Sequence, residues 1–526
     1  MSKKLAKNAI LILIITILSK ITGFLRDVVL AAYFGATYKT DAFVMAQTVT
    51  GFFLSVILAG LGTTFIPVMS DYLAHKPKEE TNKFLNVVYT VCLVLTAAIC
   101  TAAFIFAGPV VRVFAPRFSP EVFSLAVQLT RIILPSAVLG VLVTLNSAVL
   151  QNHGSFLIPA STGFPMNISM IAVMILGASI LDIQGLAAAV VAGTLLQFIM
   201  QYPFAKKLGY IFRFEFDLNE EGLKRIGILV VPTIIGSGIQ QINTMVDRML
   251  SSGLESGSVA ALNFANRLNL FIIGLLSAVV GSVYYTSMSK YFAESRIEEY
   301  KKLLRNTVNI LTIIVLPASF GFFVLRLPIV KFVFERGVFD SKASDMTAIA
   351  LFFYTIGLLG FSLREVLARA FYALKDTKTS MINGAVAVVI NIIISVSLVP
   401  YLGIGGIALG TSVSGIVGTI LLFFALRKKI GGFKCGQIIL VFLKSSAAGA
   451  VMAAAVKYLY SILYDKTASN TFSLFSSILT GCLIYFIILL FMKIEEIDMM
   501  REQAIKYIKN IFLKNKENKE CINNKL

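Results

Sequence analysis

Ile10-Leu-Ile-Leu-Ile-Ile-Thr-Ile-Leu-Ser-Lys20-Ile-Thr-Gly-Phe-Leu-Arg26-Asp27-Val-Val-Leu-Ala-Ala-Tyr-Phe34 is long and apolar enough for a helix to cross a hydrocarbon layer of about 30 Å. Three charges interrupt it: Lys20, Arg26 and Asp27. Ionised side chains at that depth are costly, and a plain anchor needs none, so function is the first explanation to test. Lys3, Lys4 and Lys7 ahead of the run resemble the start of a signal peptide, but no small-residue cleavage site follows, and the run reads as a retained first helix.

Outward from this stretch the chain keeps the same character. It is 57% hydrophobic and 14% charged with a mean hydropathy of +0.83, whereas soluble domains are about 45–50% apolar. Apolar runs of about 18 residues or more fall at 8–35, 41–71, 83–108, 120–151, 156–180, 184–205, 221–250, 258–289, 303–325, 343–374, 379–400, 404–426, 436–463 and 470–493. The expectation is an all-α polytopic membrane protein of fourteen transmembrane helices. Most of the 47 Lys and Arg flank the span ends on the N-terminal side, which the positive-inside rule assigns to the cytoplasm along with both termini. A net charge of +19 in a soluble protein would suggest nucleic acid, but these loops are short and lack interleaved aromatics, so no nucleic-acid partner is expected. The five cysteines show neither metal spacing nor a disulfide framework.

The chain also repeats itself. A polar turn opens a helix at Gln151 and again at Lys375, with Asn167 and Asn391 each sixteen positions further on, and each unit closes on a dibasic pair, Lys206-Lys207 and Lys428-Lys429. Arg26-Asp27 in helix 1 is matched, more weakly, to Asp247-Arg248 in helix 7. An offset near 220 residues covering six spans predicts two six-helix lobes, helices 1–6 (1–215) and 7–12 (216–430), related by a pseudo-twofold axis along the membrane normal. Helices 13 and 14 (431–495) have no counterpart, and 496–526 reads as a basic amphipathic tail at the cytoplasmic surface or a solvated one.

Arg suits phosphate because its planar fork offers paired donors and it keeps its charge. Arg26 and Arg267 are therefore candidates for gripping an anionic head group, with Lys20 as a third cation; the competing explanation is that Asp27 or Asp41 neutralises them. Gly23 is a candidate bend that would let helix 1 act as a gate, or a point of close packing. Asp247, Asn391 and Thr411 carry oxygens a small cation such as sodium prefers, or they simply hydrogen-bond between helices. Glu365 and Arg369 are spaced for an i, i+4 ion pair that would serve as a latch. No phosphate-binding loop, zinc motif or nucleophile elbow occurs, so the chain is not expected to be an enzyme.

Three motifs carry a resemblance: Lys20-Ile-Thr-Gly-Phe-Leu-Arg-Asp-Val-Val-Leu-Ala-Ala-Tyr-Phe-Gly35 with Thr40-Asp-Ala-Phe43, Phe334-Glu-Arg-Gly-Val-Phe339, and Leu367-Ala-Arg-Ala-Phe-Tyr-Ala-Leu-Lys-Asp-Thr377. They resemble the MurJ (MviN) lipid II flippases of the MOP exporter superfamily, along the whole chain. The resemblance implies a transporter that moves undecaprenyl-diphosphate-linked peptidoglycan precursor from the inner to the outer leaflet of the bacterial cell membrane by alternating access. It implies a cationic cavity between the lobes and a groove at helices 13 and 14 for the lipid tail. It also implies roles in peptidoglycan biosynthesis and cell shape, lipid II and membrane lipids as partners, and a monomer working beside the cell-wall synthesis machinery. By position, Arg26, Asp41 and Arg267 match the family's functional residues, Lys20 stands where many members have Arg, and Asn266 replaces an acidic residue. Many members carry Arg-Arg in helix 2, where this chain has Gly51-Phe-Phe-Leu-Ser-Val. Asp247, Asn391 and Thr411 align with a sodium site of the family, with Ser395 in place of a carboxylate. The rival readings are a flippase for another polyprenyl-linked oligosaccharide and a cation-coupled drug exporter of the same superfamily. A drug exporter is expected to use acidic residues to take organic cations, which this set of cations opposes.

Overall fold

A computed structural model describes residues 3–210, 212–432 and 435–498. Among them every regular element is helical. In chain order these are α1 (Lys3–Phe34), α2 (Tyr38–Gly60), α3 (Ile66–His75), α4 (Lys78–Ile105), α5 (Ala107–Phe114), α6 (Pro120–Ile133), α7 (Pro135–Asn152), α8 (Leu157–Ala160) and α9 (Gly163–Lys207). They continue with α10 (Glu221–Ser251), α11 (Ser258–Ala293), α12 (Ile297–Phe334), α13 (Ser341–Ile356), α14 (Leu358–Ala373), α15 (Thr377–Leu402), α16 (Ile404–Ile430), α17 (Cys435–Thr467) and α18 (Asn470–Phe491). Helix covers each of the predicted spans, and nine helices of the described residues, or ten with a bent pair counted once, are long and apolar enough to cross a membrane. The expected tail helix lies, beyond Asp498, outside the described residues.

Several spans are broken, each for a local reason. Leu61–Phe65 forms a π-helical turn between α2 and α3, where Gly60 and Gly62 weaken the α-helical ladder. Pro135 has no N–H to continue the ladder, so α6 ends and α7 begins around it. Within α9 the chain turns at Asp182, whose φ of 47° interrupts the helix, and its carboxylate pairs with Lys39 at 2.5 Å. α13 and α14 meet at Gly357 with a bend of 48°.

Packing divides the chain into two compact units: Met1–Leu275 with Val330–Tyr354 and Met381–Ser414, and Leu276–Ile329 with Thr355–Ser380 and Gly415–Leu526. The packing units thus cut through the second predicted lobe rather than following the repeat. In the first unit, Phe65, Met69, Tyr72 and Phe84 form the buried centre of a cluster from α3, α4, α7 and the π-turn. The Tyr72 hydroxyl donates to Glu220 at 2.6 Å, and Glu220 in turn accepts the Leu223 N–H, capping the start of α10. In the second unit, Tyr485 of α18 is buried and donates to the Ile313 carbonyl of α12 at 2.9 Å. Lys444, a cation inside a predicted span, reaches the Met492 carbonyl at the end of α18 at 2.7 Å, a favourable place for a positive charge.

Candidate functional site

The charged part of α1 faces the start of α11, both within the first unit. Phe24 stacks on Phe271 at 4.7 Å, which seats the two helices together. Arg26 Nη2 and Nε lie 2.7 Å and 3.1 Å from Asp27 Oδ1, and Arg267 Nε lies 3.4 Å from Asp27 Oδ2. One buried carboxylate therefore serves two guanidiniums, one oxygen each. Self-neutralisation is real but incomplete, because two positive charges share one negative one. The two arginines are also held differently: the Arg26 side chain is 15% exposed and that of Arg267 is 43% exposed. Lys20 is exposed on the same helix, its Nζ in the space left by the missing side chain of Gly274 on α11. Asn266 is half-buried beside Arg267, and its side chain makes no hydrogen bond among the described residues.

Arg26 has a second partner that sequence reasoning did not assign to the site. Asn167 of α9 is buried, accepts from Arg26 Nη1 at 3.1 Å, and donates to Thr22 Oγ1 at 3.1 Å and the Ser19 carbonyl at 3.4 Å. The available signal was its place in the repeat. Gly23 lies against this same Asn, 3.4 Å from where its Cβ would stand, and α1 runs through it unbroken. Here Gly23 supplies close approach within an uninterrupted helix.

Asp41 sits elsewhere. It is buried, and its two oxygens accept the N–H groups of Gly257 at 2.6 Å and Ala260 at 2.7 Å, the first turn of α11. A carboxylate is favoured at a helix N-terminus. Asp41, expected among the substrate-contacting residues, is here buried with both oxygens on backbone N–H groups at the start of the helix that carries Arg267. Gly257 adopts φ +89° and passes so close to the Ala36 carbonyl that any Cβ would collide with it. A second strap lies nearby, where the Val338 N–H donates to the Ala32 carbonyl at 2.9 Å and Gly337, at φ +59°, lets the chains touch. Phe334 and Phe339 of the same motif pack on Phe264 at 5.1 Å and 5.5 Å. The motif Phe334–Phe339 is therefore a clasp on the last turn of α1.

Of the oxygens expected to hold sodium, two are brought near each other. Asp247 is within hydrogen-bond reach of Asn391, whose Nδ2 donates to Asn243 at 2.6 Å. The Asn391 oxygen, however, accepts from Ser395 at 3.0 Å, and the Thr411 hydroxyl is turned to its own helix, at the Ile407 carbonyl. A hard cation needs several free oxygens. Asp247 and Asn391 are thus brought together, while Thr411, which donates to its own helix and keeps its oxygen lone pairs, is joined to neither by a hydrogen bond among the described residues. The same contacts correct the register of the repeat: Asn391 and Asn167 are 224 residues apart, which pairs Asp247 with Gly23 and Asn243 with Ser19 rather than Asp247 with the Arg26-Asp27 pair. In the second unit Arg369 and Glu365 form their predicted ion pair at 2.7 Å.

The second unit also holds a long cavity of about 830 Å³ lined by α12, α13, α14, α16 and α17. Phe320, Phe423 and Phe442 line it, and Lys457 is its one charged wall residue. α17, expected with α18 to form a groove for the lipid tail, makes one wall of this cavity, and α18 supplies none of its lining among the described residues.

A family model described as "Lipid II flippase MurJ" matches residues 30–480. The "Probable lipid II flippase MurJ" of Buchnera aphidicola subsp. Acyrthosiphon pisum is 31% identical over 83% of this chain and 87% of its own length. The "Lipid II flippase MurJ" of Burkholderia cenocepacia is 29% identical over 90% and 94%. Among solved structures, "Lipid II flippase MurJ, inward closed conformation" aligns with a TM-score of 0.79 at 28% identity, covering 91% of this chain and 98% of that one. An inward-facing multidrug resistance MATE family transporter of the MOP superfamily aligns at TM-score 0.66 and 16% identity, a likeness of fold alone.

Proposed function

The chain belongs to the MurJ family of lipid II flippases, and from that premise we propose how its charged site moves lipid II. It is a multi-pass membrane transporter, and lipid II is its substrate. The observation that carries the mechanism is the shared carboxylate: Asp27 cannot neutralise both Arg26 and Arg267. Among the described residues no second carboxylate pairs with either guanidinium, and a diphosphate satisfies the surplus charge with paired, charge-assisted hydrogen bonds. Because Arg267 makes one longer contact and is more exposed, it leaves Asp27 for the diphosphate first, while Arg26, held by Asp27 and Asn167, stays as the fixed half of the grip. Release of Asp41 from the first turn of α11 then frees the helix bearing Arg267 to move, a two-state element that substrate binding biases. No ion enters this scheme.

The polyprenyl tail is assigned to the cavity in the second unit. Each CH₂ withdrawn from water is worth about 0.8 kcal/mol, so the tail stays in an apolar groove or in lipid rather than crossing Lys20, Arg26 and Arg267. Transport runs from the cytoplasmic leaflet outward, with both termini cytoplasmic by the positive-inside rule.

Reconstituted vesicles carrying labelled lipid II test the head-group assignment. Arg26→Ala and Arg267→Ala should each abolish flipping while inserting normally, and Arg267→Lys should keep part of it. Normal flipping in both alanine variants would refute the grip. Photo-crosslinking from Phe442 to a tail-labelled analogue tests the groove, and labelling confined to other helices would remove it.

A further inference from the structure

Arg131 takes no part in the site above and lies on α6, in the first unit, facing a groove of about 730 Å³. Its depth can be read from two helices independently. Counting about twenty residues, one hydrocarbon thickness, back from Asn152 reaches residue 132. Counting the same from Lys83 up α4 reaches residue 103. Arg131 and Phe104 therefore stand together at the edge of the hydrocarbon layer on the side away from the N-terminus, and they touch: Arg131 Nε donates to the Phe104 carbonyl at 3.3 Å, and the guanidinium lies 5.5 Å from the Phe104 ring. Phosphates of membrane lipids occupy that level.

Arg131 is exposed and has no ion pair among the described residues. One of its five N–H groups is used, so the outward fork is open. Gln128 and Ser124 follow it outward at i−3 and i−7, on the same helix face, exposed and lining the same groove. Ser124, Gln128 and Arg131 thus form one polar stripe that runs from the hydrocarbon edge into the head-group layer. Arg112, stacked over the Phe123 ring of the groove at 4.1 Å, adds positive field from the outer side. Gly108 leaves the floor open, with nothing within 4 Å of where a Cβ would stand.

We propose that this groove binds an anionic glycerophospholipid of the leaflet distal to the N-terminus, with its phosphate on Arg131 and its head-group hydroxyls on Gln128 and Ser124. Phosphatidylglycerol has that chemistry: a net negative phosphate at the level of Arg131 and hydroxyls that reach outward past it. A zwitterionic ethanolamine head would instead bring an ammonium towards Arg112.

The test uses the full chain in detergent, titrated with phosphatidylglycerol or phosphatidylethanolamine of matched acyl chains and read by native mass spectrometry. Wild type should retain one tightly bound phosphatidylglycerol beyond those shared with phosphatidylethanolamine. Arg131→Ala should bind it about tenfold more weakly, as expected for loss of a charge-assisted pair, and Arg131→Lys should fall between. Gly108→Leu, which fills the groove and leaves every charge in place, should lose the same lipid. If phosphatidylethanolamine bound as tightly as phosphatidylglycerol, or if Arg131→Ala and Gly108→Leu both held phosphatidylglycerol like wild type, the proposal would fail. Should Arg131→Ala not fold, Gly108→Leu alone decides the matter.

Discussion

The same helix contact is built twice in this protein, once where α9 meets α1 and once where α15 meets α10, and the two versions serve opposite charges. In the first, Asn167 reaches across to Ser19, Thr22 and Arg26, and the side chain is missing at Gly23. In the second, Asn391 reaches to Asn243 and Asp247, and the equivalent of Gly23 is the carboxylate. One copy steadies a cation beside a site that is short of negative charge. The other closes on itself, with Asn391 satisfied on both sides by Asn243 and Ser395. A duplicated scaffold thus lets one half specialise for an anionic substrate while its twin holds helices together.

The largest expected effect comes from erasing that asymmetry in the first copy. Asn167→Asp would place a second carboxylate on Arg26 and bring the cluster of Arg26, Arg267, Asp27 and residue 167 to neutrality. Lipid II flipping should fall about 100-fold, the scale of two charge-assisted hydrogen bonds, with membrane insertion unchanged; flipping within a factor of two of wild type would separate Asn167 from the grip.

A change of the opposite kind probes the second copy. Ser395→Asp places a carboxylate beside Asn391 and near Asp247, and in sodium-free buffer it should destabilise by about 2 kcal/mol, the cost of a buried charge left unpaired. Sodium should restore the loss in Ser395→Asp and leave wild-type thermal stability unchanged, because wild type has one carboxylate fewer to hold a cation there. A sodium-dependent rise in wild type that Asp247→Asn removes would show that the site assembles without the extra carboxylate.

Smaller effects belong to the helix ends that set the two contacts. Asp376 caps α15 through the Thr379 N–H at 3.0 Å and pairs with Lys429, which together hold its carboxyl down at about 2. Its folded value lies below its unfolded one, so its contribution is complete above about pH 4 and disappears as pH falls through 2. Asp376→Ala should cost about 1 kcal/mol at neutral pH, and the gap to wild type in detergent-solubilised unfolding should close in that acid window; a gap independent of pH would assign the effect to something other than this carboxylate. Smallest of all is Gly23→Ala. The added methyl meets Asn167 at an ordinary 3.4 Å, so melting and flipping should stay close to wild type, whereas a flipping loss without a melting change would restore Gly23 as a hinge.

Much of this was legible in the residues. Long apolar runs can be satisfied in a membrane only as helices, so the spans followed from composition, and Lys20, Arg26 and Asp27 stood out because charge in hydrocarbon is expensive. Asn167 and Asn391 were visible as repeat markers, yet their partners were not, since a register error of three residues shifts a side chain by about 4.5 Å along the helix, enough to exchange one hydrogen-bond partner for another. Asp41 showed the same gap: an acid beside two arginines in a list of charges looks like their counter-ion, and its actual partners are backbone N–H groups more than two hundred residues away.

The sequence by itself determined a helical membrane transporter with too many cations in its spans and a twofold repeat, because bilayer energetics act on each segment almost independently of the others. Tertiary structure alone decided which charges meet. Whether Asp27 is divided between Arg26 and Arg267, whether Asn391 faces an ion or Ser395, and whether α17 or α18 lines the cavity all depend on helix rotation and crossing. Those are set by packing at positions such as Gly23, Gly257 and Gly410, where a missing side chain makes room for a neighbouring segment, and apolar periodicity is the same on either side of such a choice.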